Sequence, residues 1–336
     1  MADLEQSQEK VDGGPAISVV VAIVSDTTDS ADTSHLVPCL DALLTQDGAP
    51  ALEIIVPYHA AVRGVAEAEP RYPQVKFLKV TDLKTYSGRK NSREHHDELR
   101  ARGLAVAQGT LVALIEDCGI AAKDWVARMV EAHQQPMGGA GGAMENGIDR
   151  PLNWAVYYCD FLRYQPPLPA GDAWTISDAN CCYKRAALDG IGSVWSEVFH
   201  ESSINDALRA KGDKVILAPA AVVWQHRLGL TLGSALKERY VWGRSYAASR
   251  SKLATTGKRL FWGAFSPALP LLMLTRMTMM AWKKRRTWGA FVKAFPLTAM
   301  LIVSWAIGEF MGYITGRPYS GGEAGGALVR GSSEAG

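Results

Sequence analysis

The chain is poor in the features that most quickly place a sequence. Only five of its 336 residues are cysteine (Cys39, Cys118, Cys159, Cys181 and Cys182), an odd number without C-x-x-C spacing. That argues against a disulfide framework or a zinc site and for reduced thiols. Excess charge of one sign is missing too. The formal net charge is +2, so nothing global points to nucleic acid as a partner. The stretch from Met1 to Gly14 is polar and acidic and has no apolar h-region, so no signal peptide is expected and the main body is expected to stay in the cytoplasm. A dinucleotide fingerprint is also lacking. Gly138-Gly-Ala-Gly-Gly142 comes near, but Met144 breaks the G-x-G-x-x-G spacing and the run follows a predicted helix, not a strand. A Gly-rich strand or turn is the better reading, and a nicotinamide-dependent oxidoreductase is disfavoured. No internal repeat occurs.

What is present begins with Thr110-Leu-Val-Ala-Leu-Ile-Glu-Asp-Cys118, an apolar run ending in two carboxylates and a thiol. Such a run reads as a buried parallel strand. Ligands of open α/β sheets collect at the carboxyl ends of such strands, so Glu116 and Asp117 are candidates to hold a hard cation or a phosphate-bearing ligand. A strand-end turn with solvated carboxylates is the bland alternative. Further strands are predicted at Ile17 to Val24, Leu52 to Val56 (stopped by Pro57), Val75 to Val80, Asn180 to Tyr183 and Val215 to His226. Helices are predicted around Leu36 to Leu44, His95 to Ala107 (weakened by Gly103), Asp124 to His133 and Ser203 to Lys211. Alternation of strands and helices implies βαβ units and a doubly wound sheet.

Several segments, taken in order, resemble the family-2 glycosyltransferases. They are the Ile-Ser-Val-Val-Val strand, Cys39-Leu-Asp-Ala-Leu-Leu-Thr-Gln46, Glu53-Ile-Ile-Val-Pro57, Arg102-Gly-Leu-Ala-Val-Ala-Gln-Gly109, Glu116-Asp117-Cys118, Asp178-Ala-Asn-Cys-Cys-Tyr-Lys-Arg185, Phe199-His-Glu201 and Trp224-Gln-His-Arg227. The similarity covers roughly residues 16–250. It implies a GT-A fold, a doubly wound mixed α/β sheet with flanking helices, and inverting transfer from a nucleotide-diphosphate sugar with Mg²⁺ or Mn²⁺.

The chain departs from that family in two places. Counting back from Trp125, Glu116 and Cys118 stand where the Asp-x-Asp metal motif has its acids. A protonated thiol is a poor ligand for a hard cation, so metal binding falls to Glu116 or Asp117, with His226 as a further candidate or a structural histidine. The second strand ends in Pro57-Tyr58-His59 where the family usually carries acids that hold the nucleoside.

Inverting sugar transfer needs one base, neutralisation of a departing diphosphate, and in-line placement of both substrates. The resemblance assigns the base to Glu201, from its interval to Gly212. Its rivals are Glu197 and a purely helix-start role. The donor and its diphosphate fall to Ala22, Val24, Pro57 and His59 at the strand ends and to Arg102, Arg239 and Arg244, whose planar forks suit phosphate. The arginines could instead cover a membrane-facing helix. Asp178, Asn180 and Trp154 are acceptor-side candidates, against turn and core roles. Glu238-Arg-Tyr-Val-Trp-Gly-Arg244 differs from the Gln-x-x-Arg-Trp motif of processive relatives, which argues against a polymerase.

The last quarter changes character. Leu260 to Trp282 is apolar but carries Pro267, Pro270 and Arg276, and Lys283-Lys-Arg-Arg286 follows. Ala294 to Ile314 is long enough to span a bilayer, though Glu309 interrupts it. The first segment is expected to lie in the membrane interface or to re-enter, and the second to cross the bilayer, with the body in the cytoplasm at the inner membrane. Buried helices of a soluble oligomer are the alternative. The division expected is a disordered leader (1–15), the catalytic domain (16–250), membrane-associated helices (251–318) and a disordered tail (319–336). The function expected is transfer to a lipid-linked or polysaccharide acceptor in cell-envelope or extracellular glycan synthesis. The alternative is a degenerate, membrane-attached nucleotide-sugar binding module.

Overall fold

The structure is a computed structural model that describes residues 14–25, 32–86, 94–252 and 254–319. Most of the expected leader and tail lie outside the described residues. Among the described residues nine strands form one mixed sheet: β1 (Ile17–Ala22), β2 (Leu52–His59), β3 (Val75–Val80), β4 (Leu111–Glu116), β5 (Gly119–Ala121), β6 (Gly139–Asn146), β7 (Gly171–Asp172), β8 (Asn180–Lys184) and β9 (Val215–Gln225). The helices are α1 (Leu36–Leu44), α2 (Val65–Ala68), α3 (Glu94–Val106), α4 (Trp125–Ala132), α5 (Pro151–Phe161), α6 (Arg185–Asp189), α7 (Gly192–Trp195), α8 (Glu201–Ala210), α9 (Leu232–Lys252), α10 (Thr256–Phe265), α11 (Leu269–Lys284) and α12 (Trp288–Thr315).

The sheet order is β3-β2-β1-β4-β8-β6-β9-β5, with β7 on β9. The first four strands are parallel and β8 joins β4 antiparallel. Strand order reverses between β1 and β4, and open α/β sheets gather ligands at such a reversal. Period-2 alternation in β1 serves both faces. Ile17, Val19 and Val21 pack with Leu36, Leu40 and Leu43 of α1, while Val20 packs with Leu104 of α3. The helix α4 buries Trp125, Val126 and Met129, while Val130 is only half-buried.

β2 does not stop at Pro57. Its pairing with β1 ends at Ile55 and from there it pairs with β3 through His59, so the missing proline N–H falls where one neighbour has already gone. Gly103, which weakens the α3 pattern, has a packing reason. A Cβ there would stand 2.5 Å from Val20 Cγ1 and 3.1 Å from Pro57. The glycine run at 138–142 opens β6, as a Gly-rich strand. Side chains at Gly139, Gly141 and Gly142 would strike Tyr183, Ile176 and the Ala221 carbonyl.

The apolar last quarter packs on the body. Ala281, Phe291, Ala294 and Leu301 belong to the same hydrophobic cluster as Ile17 and Trp125. α12 lies along α9 at glycine contacts: a Cβ on Gly308 would be 2.1 Å from the Tyr240 carbonyl, and one on Gly243 2.3 Å from the Trp305 carbonyl. Among the described residues α12 is the one helix long and apolar enough to cross a membrane by length and composition.

Candidate active site

A cavity of about 300 Å³ opens at the carboxyl ends of β1 and β4. Val24 follows β1, Glu116 ends β4, Arg100 comes from α3, and Ser177 and Asp178 precede β8. Glu201 begins α8, Gln225 ends β9, and Arg239 and Trp242 come from α9. Glu116 and Glu201, far apart in sequence, therefore share one cavity.

Glu201 is held in place. Thr175 Oγ1 donates to its Oε1 at 3.0 Å and the Asp178 N–H donates to Oε2 at 3.3 Å. Burial raises its carboxyl to about 7, and the Asp178 carboxylate adds to the rise against those two hydrogen bonds. A base poised there is half ionised near neutral pH. Glu116 is also raised to about 7, again by burial first and Asp178 second, with Arg100 and Arg227 opposing. Gln225 Nε2 donates to Glu116 at 3.3 Å.

Three arginines line the cavity: Arg100, Arg227 and Arg239. Arg100 is buried and its Nη2 lies 3.1 Å from Asp178 and 3.4 Å from Glu116, while Nη1 lies 2.9 Å from Asp97. Arg227 forks onto Glu238 at 2.7 and 3.1 Å, and Arg239 onto Asp160 at 2.5 and 2.6 Å. The carboxylates keep all three guanidiniums charged. Arg239 Nε and Arg100 Nε are buried without a hydrogen-bond partner among the described residues.

The donor set does not fit a hard divalent cation. Among the described residues no three His, Cys, Asp or Glu side chains converge as a metal site. Alternation at the strand end sends Asp117 away from the cavity. Its carboxylate is buried and accepts from the Val24 N–H at 3.0 Å, the Ser25 N–H at 3.3 Å and the Ser25 hydroxyl. The Cys118 thiol does line the cavity, but burial holds it protonated and it donates to Gln225 Oε1 at 2.9 Å. Glu116 faces a resident cation already, the guanidinium of Arg100. His226 lies outside the lining; its ring sits against Gly147, and burial lowers its pKa.

Of the expected site residues, Val24, Glu116, Asp178, Glu201 and Arg239 line the cavity and the others do not. Ala22 spends its carbonyl on the Asp117 N–H at 2.9 Å, which ties β1 to β4. Pro57 packs beneath Gly103. His59 stacks on Tyr86 at 3.6 Å. Arg102 points to Asp82 at 3.2 Å and is partly solvated, whereas Arg100, two residues earlier on α3, faces inward. Arg244 is buried on the Arg317 carbonyl at 3.2 Å. Asn180 is a core strut: Trp125 Nε1 donates to it at 2.8 Å, and its own amide reaches the carbonyls of Ala143 and Ala221. Trp154 donates to Asp149 at 2.7 Å and stacks on Tyr158. Glu197, the rival base, is 81% exposed beside Lys84.

Missed by sequence were Arg100, Asp160 and the far wall of Met273, Ile302 and Trp305. Gln225, Arg227 and Trp242 stood within quoted segments without a role. Only Arg100 left a usable signal, since a helix residue one turn before an inward-facing Leu104 shares its face.

No family model and no curated protein matches the chain. Among solved structures it is similar to S. aureus TarS 1–349 in complex with UDP-GlcNAc, with 12% sequence identity and a TM-score of 0.43, over 87% of this chain and 92% of that one. An overlap that loose transfers neither fold nor function.

Proposed function

We propose that this chain is an inverting glycosyltransferase of GT-A type that moves a sugar from a nucleotide-diphosphate donor to an acceptor hydroxyl at a membrane. The observation that carries the reading is the one cavity that Glu201, with a carboxyl near 7, shares with the buried Arg100 and Arg239 and the half-buried Arg227 at the reversal point of the sheet. The ordered run of family-2-like segments supports it.

In the reaction, Glu201 takes the proton of the acceptor hydroxyl as its oxygen forms the bond to the anomeric carbon. The bond from that carbon to the diphosphate oxygen breaks with its electron pair, and configuration inverts. Arg100, Arg227 and Arg239 lie where the departing diphosphate is neutralised, and Asp178 holds Glu201 through its backbone N–H. No step runs through a metal ion. The body sits on the cytoplasmic side of the inner membrane in this reading.

The test is donor turnover and donor binding, measured separately over a panel of nucleotide sugars. Turnover lost in Glu201→Gln with nucleotide binding kept supports the enzyme. Nucleotide binding with no turnover for any acceptor offered favours a degenerate binding module, a reading motivated by Cys118 in place of an acid. No nucleotide binding at all overturns both.

A further inference from the structure

Helix α8 does more than present Glu201 at its first position. Residues four apart share a helix face, and on α8 these are Glu201, Asn205 and Arg209. Each grips a successive part of residues 174–178, which lead into β8. Arg209 Nε donates to the Trp174 carbonyl at 3.2 Å, and its guanidinium lies 4.8 Å from the centre of that indole. Asn205 Nδ2 donates to Thr175 Oγ1 at 3.1 Å and to the Ile176 carbonyl at 3.3 Å. Glu201 then accepts from Thr175 Oγ1 and from the Asp178 N–H. One face of one helix therefore carries the base and also holds the segment that orients it.

Asn205 is buried, and the Ile176 carbonyl fixes which way its amide faces, because a carbonyl oxygen only accepts. With that amide donating to Thr175 Oγ1, the hydroxyl accepts on that side and keeps its one proton for Glu201 Oε1. An ionised carboxylate takes such a donor; a protonated one competes with it. The arrangement thus favours the ionised base, against burial and the Asp178 carboxylate, which favour the acid. Among the described residues, the other charged or titratable groups that act on Glu201 are Arg100, Tyr164, Tyr183 and Cys181, and burial holds the last three protonated. Asn205 Oδ1 is itself buried without a hydrogen-bond partner among the described residues. An unmatched buried acceptor weighs against the fold, so the value of this amide lies in its two donors.

Resting on the glycosyltransferase reading, we propose that Asn205 is a positioning residue: by fixing the Thr175 hydroxyl as a donor, it aims Glu201 and keeps the carboxylate open to the acceptor's proton.

The test titrates Glu201 directly. The full chain, labelled with ¹³C at its glutamate side-chain carboxyls and held in non-ionic detergent, is followed by NMR against pH, with Glu201→Gln assigning the signal. The native midpoint stands near 7. Thr175→Val and Asn205→Leu should each move it to about 8, the worth of one hydrogen bond to a charged group. Thr175→Ser keeps the hydroxyl and should stay with the native chain. The double variant Thr175→Val/Asn205→Leu should move no further than Thr175→Val alone, because both changes act through one proton. Should Asn205→Leu not fold, Asn205→Ala carries the same expectation. A midpoint unmoved by the Asn205 substitution overturns the proposal, since Thr175 then orients itself unaided. Additive shifts in the double variant overturn it too, because Asn205 then acts apart from Thr175. The titration needs no sugar transfer, so its failure is distinct from failure of the proposed function. Where turnover is measured, Asn205→Leu should lower kcat about fivefold near pH 7 and recover by about pH 9, with the donor KM unchanged; a loss that persists at high pH overturns the positioning role.

Discussion

Replacing Glu201 with Gln tests the proposed chemistry and its electrostatic basis in one protein. The substitution keeps shape and burial and leaves an oxygen for the Thr175 hydroxyl, but it abolishes the base. Loss of a positioned general base costs roughly 10²–10⁴-fold in kcat. Nucleotide affinity, which the proposal gives to the arginines, should change by less than about twofold. The same substitution has a stability signature that a bystander carboxylate lacks. The Glu201 carboxyl rises from an ordinary 4.5 to about 7 on folding. Between those values the folded chain binds more protons than the unfolded one, so this group's contribution to stability falls as pH rises through that window. Comparing about pH 5.5 with about pH 8.5, the linkage amounts to about 1–2 kcal/mol once partial exposure is allowed for. Urea unfolding of the full chain in mild non-ionic detergent should therefore show the native chain losing more stability than Glu201→Gln between the two pH values, while the variant loses turnover. Turnover within twofold of native, or equal pH dependence of stability in the two proteins, refutes the assignment of Glu201 as a buried, poised base.

Chelation should matter little. Nucleoside diphosphate affinity measured calorimetrically in EDTA should stay within about twofold of that with Mn²⁺, because Arg100 already supplies the cation beside Glu116; a tenfold gain with Mn²⁺ contradicts the site described. Arg100→Gln strands Asp97, Glu116 and Asp178 without their shared cation and should cost about 3–5 kcal/mol in urea unfolding at neutral pH. Gly308→Val drives a side chain at the Tyr240 carbonyl, where a Cβ alone stands 2.1 Å away, and should cost about 3 kcal/mol in thermal or urea unfolding by prising α12 off α9.

The strands and their order along the chain were legible because burial writes itself into periodicity. β1 reads as a β-branched run since both of its faces are covered. Glu201 was singled out by its interval to Gly212 and Asp178 as an acceptor-side candidate in a quoted segment, and both line the cavity. Other site assignments went astray wherever direction mattered more than position. Asp117 lies beside Glu116 in sequence and points the opposite way, because successive strand residues alternate faces. Arg102 and Arg100 are separated by two helical positions, about 200° around α3, and only the second faces the cavity. Asn180 resembles a ligand-binding amide, and only its three buried partners make it a strut.

Composition and pattern alone determined an alternating α/β chain, a carboxylate-ended central strand, an acidic helix start at Glu201 and an apolar, basic last quarter, since each rests on local sequence and on the free energy of burying apolar surface. Tertiary structure alone decided that Arg100, Arg227 and Arg239 meet at those carboxylates, that the thiol of Cys118 is spent on Gln225, and that α11 and α12 close the cavity with an apolar wall. Contacts between residues far apart in sequence leave no periodic trace in any one segment, and side-chain direction follows from packing that no single segment contains.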